Sequence, residues 1–161
     1  MRKKYRFLIR FLVKFSILGI VFLFLVTFVC GFLRMHGNAM FPAIRDGDFC
    51  LYAKTGAITQ NDVIFYRDNF GQISCGRVVA QGGQTITFGE TGGYMIDGYV
   101  FSDQNPYPTY GGSERETTVP DGCFYVLHDL REDTGDSRTQ GVVSKEQIVG
   151  KLVFLFRRRG F

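Results

Sequence analysis

The sequence predicts a mainly β protein, with an N-terminal single transmembrane helix followed by an antiparallel β-sheet domain. Three observations carry this. From Phe15 to Leu33 there are 19 residues without a charge, interrupted only by Ser16, Thr27 and two glycines. Beyond Met35 the pattern breaks into short apolar segments separated by Gly, Asn and Asp. The composition is rich in Gly (20), Phe (17) and Tyr (8) and poor in Pro (4), which favours turn-rich β structure.

The apolar stretch is long enough to cross a hydrocarbon core, for which a helix of about 20 residues suffices. Arg2, Lys3, Lys4, Arg6, Arg10 and Lys14 precede it. Clustered basic residues hold a flank in the cytoplasm, so the remainder is expected outside. A cleaved signal peptide would have an apolar region of roughly 7–15 residues and a small-residue cleavage site. This stretch is longer, and Cys30-Gly31-Phe32-Leu33-Arg34 is too bulky for that site. The expected organisation is a basic cytoplasmic segment over 1–14, an uncleaved anchor over 15–33 and an extracytoplasmic β domain over 34–161. The protein is then a single-pass component of the cell membrane.

Candidate strands are Asp48–Ala53, Asp62–Arg67, Gln72–Ala80, Gln84–Phe88, Gly122–His128 and Ile148–Phe156. Val63 and Phe65 alternate with Ile64 and Tyr66 in a period of two. No amphipathic helix longer than a couple of turns is expected after residue 34. Residues 89–118, rich in Gly, Tyr, Pro and Ser, read as hairpins or loops rather than a second packed domain. Arg157-Arg158-Arg159 follows the apolar Leu152–Phe156 and reads either as a patch for anionic lipid headgroups or as a solubilising tail.

The formal charge of +4 comes from the N-terminus, because residues 15–161 hold 13 basic and 15 acidic side chains. A nucleic-acid-binding domain would need a basic face on the folded part, so nucleic acid is not an expected partner. Outside the apolar stretch stand Cys50, Cys75 and Cys123, an odd number without metal-ligand spacing. Free thiols are expected rather than one disulfide plus a spare. No metal and no cofactor is expected.

Four stretches then carry the chemistry. Gly37-Asn38-Ala39-Met40-Phe41-Pro42 with Asp46-Gly47-Asp48 resembles G-x-S-M-x-P…GD of the type I signal peptidase family. Asn61-Asp62-Val63-Ile64-Phe65 resembles that family's G-D-V-V-x-F strand, with Asn for the glycine. Gly76-Arg77-Val78-Val79-Ala80-Gln81-Gly82-Gly83 is similar to K-R-V-x-G-x-P-G. Residues His128 to Arg138 resemble G-D-N-R-x-x-S-x-D-S-R, and Gly150-Lys151 the closing G-K. The resemblance implies a signal-peptidase-like fold of antiparallel sheets docked on the outer membrane surface, with an extended peptide along a strand edge.

That family cuts with a serine nucleophile and a neutral lysine base. By the resemblance the serine position is Ala39 and the lysine position is Gly76. A methyl group cannot attack a carbonyl, and glycine has no side chain to take a proton. Losing either member of such a unit removes nearly all of the catalysis. Lys54, Lys145 and Lys151 have no place in the motifs beside Ala39. Cys75 precedes Gly76, and on a strand it faces the other side. A base role for His128 without a nucleophile is less expected than a structural one, and His36 is expected at the membrane interface. The resemblance also implies an ion-pair network of Arg77, Asp136 and Arg138 bracing the site. Thr134 stands where a serine orients the lysine. A binding groove is expected from Gly37, Asn38, Met40 and Pro42, with Met40 and Pro42 as its floor.

The resulting expectation is a signal peptidase homologue that binds an extended peptide without cutting it. Its size, single anchor and degenerate dyad resemble a Gram-positive branch that assists pilus assembly, with pilin subunits and sortase as implied partners. The alternatives are an active signal peptidase, with an unrecognised nucleophile or with a natural form that carries one at position 39, and a purely structural β domain with a blocked groove.

Overall fold

The computed structural model describes residues 2–89, 93–101, 108–110 and 116–157. Helix α1 spans Arg2–Phe24 and continues through a π-helical turn, Leu25–Val29. Its apolar part, Tyr5–Val29, contains an 18-residue window with a mean hydropathy of 2.6 and no buried residue, and is long and apolar enough to cross a membrane. The helix differs at both ends from the stretch expected at 15–33. It begins earlier because Lys and Arg interrupt a hydrophobic run without interrupting a helix. It ends at Val29 because Cys30–Arg34 forms strand β1, paired antiparallel with β2, Phe49–Ala53. Lys54 closes the junction, donating from Nζ to the carbonyls of Thr27 (2.7 Å) and Val26 (3.4 Å). A cation is favoured where the last helical carbonyls lack partners.

The remaining strands are β3 (Val63–Arg67), β4 (Ile73–Gln81), β5 (Thr85–Phe88), β6 (Tyr94–Ile96) and β7 (Tyr99–Phe101). They continue as β8 (Glu116–Thr118), β9 (Cys123–Leu127), β10 (Val143–Ser144) and β11 (Ile148–Phe156). A seven-stranded sheet has the order β1-β2-β11-β3-β4-β9-β10, and a four-stranded sheet the order β7-β6-β5-β8, with every pairing antiparallel. Helix α2, Ser137–Gln140, is a single turn. Of the stretch 89–118, read as hairpins or loops, the described part forms β6, β7 and β8, and residues 90–92, 102–107 and 111–115 lie outside the described residues. Between β6 and β7 the turn is Asp97-Gly98, both at positive φ, which suits the twist of a two-residue hairpin.

Three apolar clusters hold these layers together. Strand β3 serves two of them by alternation. Val63 and Phe65 join Met35, Met40, Ile44, Cys50 and Cys75 on one face, and Ile64 and Tyr66 join Val78, Val126 and Val143 on the other. The third cluster lies between the sheets, where Ile86, Phe88, Tyr94 and Ile96 meet Val79, Ala80, Tyr125 and Leu127. Cys30, Cys50, Cys75 and Cys123 are free thiols. Arg158 and Arg159 of the basic end lie outside the described residues.

The Tyr52 ring crosses two neighbouring strands at positions that have no side chain. A Cβ at Gly31 would overlap that ring, and one at Gly150 would come within 2.5 Å of the Ala53 carbonyl oxygen and the ring itself. The backbone oxygen cannot step aside. Gly150→Ala is therefore expected to destabilise the fold by about 1–3 kcal/mol, as overpacking does, and to lower the midpoint of thermal unfolding followed by circular dichroism.

Candidate functional site

The loop after β1 is tied down at several points. The Met35 and Gly47 amides bond to the carbonyls of Asp48 (2.7 Å) and Met35 (2.9 Å). Gly37 N–H donates to Asp46 Oδ1 (2.9 Å), and Asp46 N–H to Asn38 Oδ1 (3.1 Å). The Arg45 amide donates to Asp48 Oδ2 (3.0 Å). Met40 and Ile44, both fully buried, pin the loop to the core beneath it. Asp46-Gly47-Asp48 thus closes the loop that Gly37–Pro42 begins. Ala39 is held at its surface, and its carbonyl accepts from the Leu130 amide (2.9 Å) across the domain.

Beside Ala39 opens a cavity of about 250 Å³ lined by Leu33, Met35, Phe65, Ile73 and Cys75, with Arg34, His36 and Ser74 also bordering it. Strand β1 is the outer strand of its sheet. On the other side, β9 follows β4 only as far as the Arg77↔Leu127 pair. Among the described residues Ile73–Gly76 therefore have a strand partner on the β3 side alone. Two open edges border one apolar cavity, and an extended chain can pair with such edges through its backbone.

The expected groove residues are only partly brought together. Ala39 lines the cavity. Gly37 and Asn38 are exposed and brace the loop. Met40 lies beneath the loop in the core, and Pro42 is exposed on its far side, so neither is the floor. That floor is Met35, Phe65 and Cys75, because β4 approaches from a distant part of the chain. Ile73-Ser74-Cys75, just before Gly76, is the one local signal that could have revealed it. His36 borders the cavity and is exposed.

Gly76 points to the opposite face of β4 from Cys75. A Cβ there would overlap Cγ1 of Val126 and lie 3.2 Å from the Leu127 carbonyl oxygen. Val126 is fully buried and β-branched, so it has little rotamer freedom with which to yield. Cys75 is 1% exposed, its Sγ lies 3.6 Å from Met35 Sδ, and burial, with Cys50 nearby, pushes its thiol well above the ordinary range. That is the opposite of what a thiolate nucleophile requires. Burial, followed by Asp48, also pushes Cys50 up to about 11. His128 is 4% exposed, does not line the cavity, and has Nδ1 3.4 Å from Asp133 Oδ2. No lysine lines the cavity either. Lys54 caps the helix, Lys151 Nζ bonds to Asp62 (3.2 Å) and Ala57 O (3.0 Å), and Lys145 lies in the turn before β11.

Among the described residues the bracing charges include two ion pairs, Arg77–Asp129 and Asp136–Arg138. Arg77 grips Asp129 with both ends of its fork, at 2.8 and 2.6 Å, and donates to Asn61 O at 3.0 Å. Asp129, second in the motif starting at His128, is thus the partner of Arg77, a pairing the motif resemblance alone does not imply. Asn61 has φ 72°, a left-handed conformation that asparagine tolerates better than most residues, which accounts for Asn where the family has glycine. Asp136 holds Arg138 through Nε (2.8 Å) and Nη2 (2.7 Å), and accepts the backbone amides of His128 and Arg138. Arg138 also donates to the carbonyls of Arg131 (2.8 Å) and Asp133 (2.7 Å). Thr134 is exposed, and its carbonyl accepts from the Thr139 hydroxyl at 2.5 Å.

The model of the signal peptidase family, peptidase S26, matches residues 8–157. The chain belongs to this family. It is 27% identical to signal peptidase IB of Staphylococcus aureus over 168 residues, covering 89% of this chain and 84% of that protein. It is 24% identical to the inactive signal peptidase IA of the same species over 162 residues, covering 89% and 88%. The crystal structure of a signal peptidase I from Enterococcus faecalis matches the fold with a TM-score of 0.53 at 22% identity, over 61% of this chain and 98% of that one. The mainly β signal peptidase fold is thereby established.

Both members of the Asp136–Arg138 pair are buried, with side chains 0% and 1% exposed, whereas Arg77 is 26% exposed. Removing one partner of a buried pair leaves a charge without compensation. Asp136→Ala is expected to cost about 3–5 kcal/mol, and Asp129→Ala clearly less. Urea unfolding of the two variants checks both the size and the order.

Proposed function

We propose that this chain is a membrane-anchored signal peptidase homologue that holds an extended polypeptide in its groove without cutting it. The observation that carries this is the pairing of an open apolar cavity between two free strand edges with the lack of a nucleophile and base at its rim: no lysine lines it, the Cys75 thiol is buried and pushed up, and Ser74 is turned to Tyr66 on the other face of the sheet. Ala39 is assigned to the nucleophile position and Gly76 to the base position, and Val126 occupies the space a side chain at 76 would need. Met35, Phe65 and Cys75 would form the floor, and Arg77–Asp129 and Asp136–Arg138 would keep the loops in place. An open cavity weighs against a purely structural domain.

The α1 helix would be the anchor, with residues 1–14 in the cytoplasm and the β domain outside, on the positive-inside rule. Strand β1 starts directly after the helix, and Phe32, Phe49, Val153, Phe154 and Phe156 stand exposed on β1, β2 and β11. The Phe32 and Phe156 rings stack at 5.8 Å. Aromatic surface of this kind suits the membrane–water boundary. The finer role we propose is that of a chaperone or assembly factor for sortase-dependent pilus polymerisation, with a pilin subunit, and in the same assembly sortase, as partners.

The other reading, an active signal peptidase, is favoured by the identity to signal peptidase IB. It needs a nucleophile, and Cys75, the one thiol lining the cavity, is buried and unactivated. On the proposed reading Ala39→Ser alone does not restore cleavage of a secretory precursor, and adding Gly76→Lys also fails because the lysine Cβ collides with Val126. Processing by the single variant, read on a gel, would contradict this. A photo-reactive amino acid at position 39, activated in pilus-forming Gram-positive cells, is expected to capture pilin or sortase. Recovery of neither removes the pilus assignment.

A further inference from the structure

The cavity beside Ala39 is large for a small side chain. Its volume of about 250 Å³ compares with roughly 30 Å³ for one water in the liquid. The deep end is apolar and well packed behind, with Met35 7%, Phe65 1% and Cys75 1% exposed. Leu33, Ile73 and the Ala39 methyl line it with them. Polar side chains at the rim come from the exposed Arg34 and His36. A methyl group entering here would leave most of the lining without contacts, and such gaps forfeit dispersion attraction. A branched or aromatic side chain would reach the floor, where the thioether of Met35 can adapt to its shape.

We propose that this cavity selects a large apolar side chain (leucine, methionine or phenylalanine) from a peptide bound in extended form. The inference rests on the reading that the free edges of β1 and of Ile73–Gly76 hold such a peptide. In an extended chain successive side chains point to opposite sides. One residue therefore enters the cavity and its neighbours do not. Two small residues set the width: Ala39 on the loop and Cys75 on β4. Ala39 is the one to vary, because it sits on the surface loop rather than within the sheet.

The test uses the full chain in lipid nanodiscs, with empty discs as the blank. The probes are fluorescein-labelled heptapeptides of alternating threonine and valine that differ only at the central residue, which is alanine, leucine or phenylalanine. Binding is read by fluorescence anisotropy. The leucine and phenylalanine peptides are expected to bind at least about tenfold more tightly than the alanine peptide, the discrimination an apolar pocket reaches for a few carbon atoms. Ala39→Phe, which narrows the cavity, is expected to erase that difference while leaving the unfolding midpoint near that of the parent. Equal or tighter binding of the alanine peptide overturns the size selection and leaves the groove reading standing. Binding of none of the three peptides overturns both. A preference that survives in Ala39→Phe also overturns the assignment, because the side chain would then be read elsewhere.

Discussion

The buried pair of Asp136 and Arg138 is the interaction on which the rest of the β domain depends. Asp136 gathers the amide after β9, the start of α2 and the Arg138 guanidinium onto one carboxylate. Arg138 in turn fixes the carbonyls of Arg131 and Asp133. Desolvating two charges is costly, and full hydrogen bonding of both ends offsets much of that cost. From this loop the Leu130 amide reaches the Ala39 carbonyl, so the rigidity of one motif is passed to the other. The neighbouring Arg77–Asp129 pair ties the same loop to β4. Frame and groove form one connected unit.

What stands inside the frame differs from what a peptidase requires. Nucleophilic catalysis needs a reactive atom and a base in contact, and neither Ala39 nor Gly76 provides one. Gly76 is not an empty slot, because the β4–β9 register places Val126 against it. A fold that retained a base position for occasional use would keep that space open. Here the core has closed over it, while the cavity on the other face of β4 remains.

Much of this was legible from local pattern. The strand expected at Asp62–Arg67 is β3 from Val63, and the period of two along it divides its side chains between two apolar clusters as alternation requires. The loop from Gly37 to Asp48 is recognisable by its resemblance to the family's motif, and in the fold its polar residues bond to one another within a dozen positions. Long-range contacts were not legible. Met40 was taken for the groove floor, yet its side chain belongs to the core, and the floor comes from Phe65 and Cys75 on strands far along the chain. Nor could local pattern show that Val126, paired with Val78, fills the space beside Gly76, since that depends on the register of β4 against β9. The helix was misjudged at its end because Cys30–Leu33 is as apolar as the residues before it. Only pairing with β2 makes it a strand.

The most direct measurement incubates the unaltered full chain with a purified secretory precursor carrying its signal peptide, and follows both products and complexes by mass spectrometry. A binding protein without the dyad retains the intact precursor in a complex and releases no fragment at any time point. Release of a fragment cut at the signal peptide boundary, in preparations free of any other peptidase, would contradict this account.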